Sequence, residues 1–293
     1  MRRLFWIALL LVAAGVSLGL FLTRATLLDE TAMAGLSGDA VAGEAVFHAA
    51  GCASCHAAPG AKGEDRLVLA GGQRFASPFG TFIAPNISTD AEAGIGGWSE
   101  TEFASAVMRG VSPDGMHYYP AFPYTAYALM ERQDVADLWA YMTTLPASAA
   151  PSAPHELGFP FNIRRSVAVW KLLNGPSDWV QPSDATAQGR YLVEALAHCA
   201  ECHTPRDSLG RLDTARWMAG APNPSGQGKI PGITPAQLDW SAEDIAYYLE
   251  TGFTPDFDSA GGHMASVITN MAQLTAEDRN AIAAYVKALP PVE

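Results

Sequence analysis

Polar and apolar positions divide the chain into one long apolar run and a set of short amphipathic segments. Leu4 to Leu22 is 19 residues without a charge, preceded by Arg2 and Arg3, close to the roughly 20 residues a helix needs to span a bilayer. Downstream, Ile282, Tyr285, Val286 and Leu289 recur at spacings of three and four, which predicts one apolar helix face. Helix starts are marked by Ser99 with Glu102, Ser241 with Asp244 and Thr275 with Asp278, each a hydroxyl cap with an acid three residues on. Pro146 and Pro290 stop the final segments.

These segments occur twice. GEAVFHAAGCASCH at 43–56 parallels GRYLVEALAHCAECH at 189–203, and the stretch ending at Gly110 parallels the one ending at Gly252. DVADLWAYMTTLP at 134–146 parallels DRNAIAAYVKALP at 278–290. A period of about 145 residues is too long for a solenoid and describes duplicated domains. The expected organisation is all-α: an N-terminal segment (1–30), a first domain (38–147), a structured connector (148–187) and a second domain (188–293). Within the connector, Asn162 is expected to cap a helix from Ile163 to Leu173, with Val167, Trp170 and Leu173 packing on both domains.

All four cysteines lie in the two repeated pentapeptides, CASCH at 52–56 and CAECH at 199–203. A disulfide within C-x-x-C closes too small a loop to gain much. A thioredoxin-type pair has no need of the histidine, and a zinc ion bound by the adjacent Cys55 and His56 would be strained. C-x-x-C-H is the attachment signature of c-type haem. Cys52, Cys55, Cys199 and Cys202 would form the thioethers of two covalent haem c groups, and His56 and His203 would supply the proximal nitrogens to iron.

Charge narrows the partners. The formal net charge of -12 argues against nucleic acid and favours a docking protein with a basic face. With Arg2 and Arg3 held inside, the apolar run leaves the rest of the chain exported. A cleaved signal is the alternative, but its apolar region would be about 7 to 15 residues.

YYPAFPYT at 118–125, LGFPFNIR at 157–164 and YLVEALAHCAECHTPR at 191–206 resemble the di- and multihaem cytochrome c subunits of membrane-bound bacterial alcohol, aldehyde or gluconate dehydrogenases. The likeness covers roughly residues 38–290. It implies two tandem class I-type cytochrome c domains, which would follow the transmembrane helix expected from the apolar run. It also implies haem attachment on the periplasmic side of the inner membrane, and a relay of single electrons from a dehydrogenase donor to a respiratory acceptor. A dihaem enzyme of peroxidase or thiosulfate-oxidising type, with one open or unusually ligated iron, is the alternative. No G-x-G-x-x-G dinucleotide fingerprint points to a dehydrogenase site of the chain's own.

The distal ligands differ between the repeats. Met264 is the expected ligand in the second domain, with Met271 read as core and His263 as a neighbour. Counting from Trp98 and Trp240, Met264 corresponds to Phe122, so the first domain must take its ligand elsewhere: Met116, His117 or Met130. The resemblance favours Met130, whose other reading is a hydrophobic staple at a helix entry. Trp98 and Trp240 are candidates to wall the haem crevices or bond a propionate, or else to pack the core. Arg206 is a candidate propionate partner or a solvated arginine. Asn86 and Tyr119 stand similarly, and His48, His155 and His198 are read as structural.

Overall fold

The computed structural model describes residues 1–182, 186–224, 226 and 228–293. The apolar run forms α1 (Arg2–Leu22), a 21-residue helix with no buried residue. By length and composition it is able to cross a membrane.

The first repeat contains α2 (Ala40–Ala49), α3 (Cys52–His56), the hairpin β1 (Arg74–Ser77) and β2 (Gly80–Ile83), α4 (Glu100–Arg109), α5 (Tyr124–Tyr127) and α6 (Arg132–Met142). The connector supplies β3 (Glu156–Leu157), which pairs antiparallel with β2, and α7 (Ser166–Asn174). The second repeat has α8 (Ala187–Arg190) running into a π-helix (Tyr191–Leu196), then α9 (Ala200–His203), the pair β4 (Ala221–Pro222) and β5 (Lys229–Ile230), α10 (Ala242–Thr251), α11 (Gly262–Met271) and α12 (Ala276–Ala288). The protein is mostly helical, as expected. The short strands were not legible, because they lie in loops without period-two alternation.

The predicted caps form. Glu102 N–H donates to Ser99 Oγ (3.2 Å) while Ser99 N–H donates to Glu102 Oε2 (2.7 Å), and Ser241 and Asp244 repeat the exchange at 3.0 Å each. Asp278 N–H donates to Thr275 Oγ1 (3.1 Å). Both middle helices end on a left-handed glycine, Gly110 (φ 58°) and Gly252 (φ 77°), which frees the last carbonyls for turn hydrogen bonds.

The first and last helices of each repeat cross at a glycine. A Cβ on Gly43 would run into the Asp137 carbonyl and lie 2.9 Å from the Tyr141 Cβ; one on Gly189 would meet the Ala281 carbonyl and lie 2.9 Å from the Tyr285 Cβ. Only glycine lets the backbones approach this closely. From this crossing to the first motif cysteine the second repeat has one residue more than the first. That residue is taken up by the π-helix, since an extra residue in a helix widens one turn.

The connector is ordered where it is described, with a correction to its helix. The turn around Pro160 claims Asn162 N–H and Ile163 N–H for the Gly158 and Pro160 carbonyls (both 3.1 Å). The helix therefore starts at Ser166, after an uncapped Arg165. Val167 is buried and Trp170 Nε1–H donates to Leu209 O (2.8 Å), but Leu173 is exposed.

Candidate haem sites

Each pentapeptide forms a single helical turn, entered through a left-handed residue: Gly51 (φ 64°) before the first and His198 (φ 41°) before the second. No disulfide joins any of the four cysteines. Burial raises Cys52 to about 12 and Cys55 to about 11, with smaller contributions from Cys55 and Cys202 respectively; Cys199 also rises to about 12. Burial raises Cys202 as well. These shifts run opposite to the lowered pKa of a disulfide exchanger's nucleophile. Cys55 and Cys202 are the exposed members of the two pairs, and Cys52 and Cys199 the half-buried ones.

The histidines are held alike. His56 Nδ1 lies 2.9 Å from Pro85 O, and His203 Nδ1 lies 2.8 Å from Pro231 O. A carbonyl only accepts, so Nδ1 carries the proton and the Nε2 lone pair is left free, the tautomer that suits ligation of a metal. Burial lowers the pKa of both imidazoles, favouring this neutral form. The supporting loops also match. Gly71 and Gly220 N–H donate to the His56 and His203 carbonyls (both 2.7 Å), and the left-handed Leu69 and Met218 accept from Ile87 and Ile233 N–H (3.0 and 2.9 Å). Among the described residues no three His, Cys, Asp or Glu side chains converge as a metal-binding cluster, which disfavours a zinc site. Two thiols and one free imidazole nitrogen per turn fit a covalently held haem. The proline carbonyls escaped the motif reading, although the repeat alignment of IAPN at 83–86 with KIPG at 229–232 carried the signal.

The candidate distal residues fall in different settings. Met264 lies in α11 and is partly buried against the core, Met271 is core, and His263 is exposed beside Phe75. Tyr118 N–H donates to Gly110 O as Ala260 N–H does to Gly252 O (2.8 Å each), so Phe122 and Met264 stand equally far beyond two matching turns, Met264 within α11. Met130, 4% exposed, directly precedes the cap of α6, the place Leu274 holds before α12. Met116 lies on an exposed turn, and His117 Nε2 faces Thr23 O (3.3 Å) at the end of α1.

Trp98 and Trp240 are partly buried against the core, Trp240 edge-on to Tyr248. Arg206 is engaged within its own loop: it pairs with Glu201 and donates to Gly210 O (2.8 Å). Asn86 ties the loop after β2 to the Ser148 and Ala150 carbonyls (2.7 and 2.8 Å), and Tyr119 O–H donates to Phe161 O (2.8 Å).

Each motif is packed against the opposite repeat, which sequence reasoning missed. α11 of the second repeat packs on α2 and α3 of the first, while α5 of the first packs on the π-helix of the second. Ser54 of CASCH accepts from Asn270 Nδ2 (2.6 Å) and donates to Ser266 O (3.2 Å). Its counterpart Glu201 of CAECH accepts from Thr125 Oγ1 (3.4 Å). Between the motifs Tyr127 stacks edge-on against His198 (5.5 Å) and donates to Ala50 O (2.9 Å). Beside Cys199, a second missed feature links Trp217 Nε1–H to Tyr285 Oη (3.0 Å) and Tyr285 O–H to buried Glu194 (2.7 Å), which also accepts from Val180 and Gln181 N–H (2.7 and 3.1 Å).

The cytochrome c family model matches residues 40–146 and 186–290, and the chain belongs to the cytochrome c family, with two tandem domains and two covalently bound haem c groups. It is 56% identical, over the full length of both proteins, to a diheme cytochrome c-type protein of Cereibacter sphaeroides. It is 37% identical to the fructose dehydrogenase cytochrome subunit of Gluconobacter japonicus over 83% of this chain and 51% of that one. For the gluconate 2-dehydrogenase cytochrome c subunit of Pantoea cypripedii the identity is 32%, over 84% and 58%. The chain thus spans about half the length of these dehydrogenase subunits. The likeness supports an electron-transfer role.

Proposed function

We propose that the chain is a membrane-anchored, periplasmic dihaem carrier that passes single electrons from a dehydrogenase to a respiratory acceptor. Haem iron supplies the one-electron chemistry; the chain fixes its orientation and ligation and limits access to it. Cys52 and Cys55 hold one haem and Cys199 and Cys202 the other, with His56 and His203 as proximal ligands. Met264 is the distal ligand of the second haem and Met130 that of the first. The domains are 38–147 and 188–293, joined by 148–187, with α1 as the membrane-spanning anchor whose N-terminus faces the cytoplasm. The net charge of -12 suits partners with basic docking faces.

The observation that supports this reading is that each motif is bonded to the opposite repeat, Ser54 to Asn270 of α11 and Glu201 to Thr125 of α5. Packing each motif on the other repeat holds the two attachment points in a fixed relation, as a relay between the haems requires; whether one iron is open is what separates a carrier from an enzyme. The test is the optical spectrum of the oxidised holoprotein with and without cyanide or peroxide. Two closed irons give no rapid change. A prompt spectral shift at one haem, with peroxide turnover, would replace the carrier with the dihaem enzyme.

A further inference from the structure

The connector helix α7 divides into two faces. Val167 and Ala168 are buried, and Lys171 Nζ, one turn on from Val167, donates to Arg109 O and Gly110 O (2.7 and 2.8 Å) and caps the Tyr124 ring at 4.3 Å. This side fastens α7 to the end of α4. The opposite side begins at Arg165 and continues one and two turns on with Val169 and Leu172, flanked by Leu173. Val169, Leu172 and Leu173 are 47%, 59% and 60% exposed, and Ile163 just before the helix is 48% exposed.

Arg165, at the head of this bare face, is bound to the end of α1. Its Nη2 donates to Leu20 O (2.7 Å) and its Nε to Thr23 Oγ1 (2.9 Å). At 1.5 Å per residue the 21 residues of α1 run about 30 Å, the thickness of a bilayer's hydrocarbon core. Leu20 and Thr23 then stand at the level where lipid tails give way to headgroups. Arg24 stacks on Phe21 at 4.6 Å, and Arg164, over the Tyr119 ring, donates to the carbonyl of His117 (3.2 Å), whose ring faces Thr23 O, so three arginines stand near this exit on a chain otherwise rich in acid.

We propose that the Val169–Leu172–Leu173 face of α7, with Ile163, is a second membrane contact. It would lie in the lipid interface beside α1, with Arg24, Arg164 and Arg165 facing anionic headgroups. Apolar side chains beneath a basic collar are the pattern of a helix lying in the interface, and Arg165 places the face in continuity with the span. The inference rests on α1 spanning the membrane. Its consequence is orientation: α7 is locked to the first domain through Lys171, so a membrane contact along α7 holds that domain in one attitude toward membrane-bound partners.

The test places the full-length holoprotein in nanodiscs of mixed neutral and anionic phospholipid carrying a photoactivatable diazirine tail, and maps lipid adducts by peptide mass spectrometry. Adducts are expected both on 4–22 and on 163–173. A Val169→Glu, Leu172→Glu, Leu173→Glu variant, altered only at exposed positions, should keep its haem spectrum and its adducts on 4–22. Its adducts on 163–173 should fall about tenfold. Adducts on 4–22 with none on 163–173 overturn the proposal and leave the anchor standing. That is also the outcome if a second copy or a partner protein covers the face. Adducts on 163–173 without any on 4–22 refute the span and, with it, the proposal of a second contact beside α1.

Discussion

Glu194→Ala removes the carboxylate at the centre of the second domain's buried polar chain. Glu194 is 4% exposed and accepts three hydrogen bonds, from Val180 N–H, Gln181 N–H and Tyr285 O–H. Tyr285, 1% exposed, also accepts from Trp217, and burial, then the charge of Glu194, pushes its phenol pKa upward. Each donor left without a partner costs roughly 1–3 kcal/mol. Tyr285 pays nearly the full penalty, whereas water entering the new space relieves the two amides near the surface-bound connector. A loss of about 3–5 kcal/mol follows, a large share of the roughly 5–15 kcal/mol that holds a domain folded. Glu194→Gln keeps one acceptor oxygen and should lose about 1–3 kcal/mol. Guanidinium unfolding of the oxidised holoprotein would be followed by haem absorbance, and hydrogen exchange would locate the change. Protection should fall in 191–196 and 276–288 and persist in 40–49 and 132–142. A Glu194→Ala stability within about 0.5 kcal/mol of the parent would refute the reasoning.

Met264→Ala should abolish the weak near-red sulfur-to-iron band of one ferric haem and lower that haem's potential, and Met130→Ala should do so for the other; a band lost on Met116→Ala instead would move the first-domain assignment. Cys199→Ala with Cys202→Ala should yield a denatured mass with one haem addition in place of two. Gly43→Ala drives a methyl into the Asp137 carbonyl and should destabilise the first domain by about 1–3 kcal/mol or more, read as a lowered melting temperature with the second domain's exchange protection intact. His155 Nδ1 accepts from Ile83 N–H (3.1 Å), and burial, then Arg164, lowers its pKa. The unfolded chain therefore takes up the proton first, so this contact's stability is present near neutral pH and lost as pH falls below about 6.5. Exchange at the Ile83 amide should speed up between pH 7 and 5 beyond its intrinsic change, and His155→Asn should remove that excess.

Much of this molecule is local in origin. CASCH and CAECH, the serine and threonine caps, Gly110 and Gly252, and the apolar run of α1 act over a few residues, and each was legible as a pattern of neighbours. The duplication was equally legible, because the same local solutions recur in the same order. Glycine at 43 and 189 belonged to that alignment, but its reason, the crossing of two helices about ninety residues apart, lies in the fold. The proline carbonyls that fix the histidine tautomers lie 29 and 28 residues from their imidazoles; the repeat marks the prolines, but that their backbone oxygens meet the histidines is decided by the fold. The connector helix moved because turn hydrogen bonds around Pro160 outcompeted the Asn162 cap. Leu173 faced outward because Val167 and Lys171 had already chosen the side that docks. Which residue follows the second cysteine is written in the chain; that Ser54 and Glu201 each answer to the opposite repeat is decided only when the two domains pack, since a contact spanning 216 residues depends on every element folded between them.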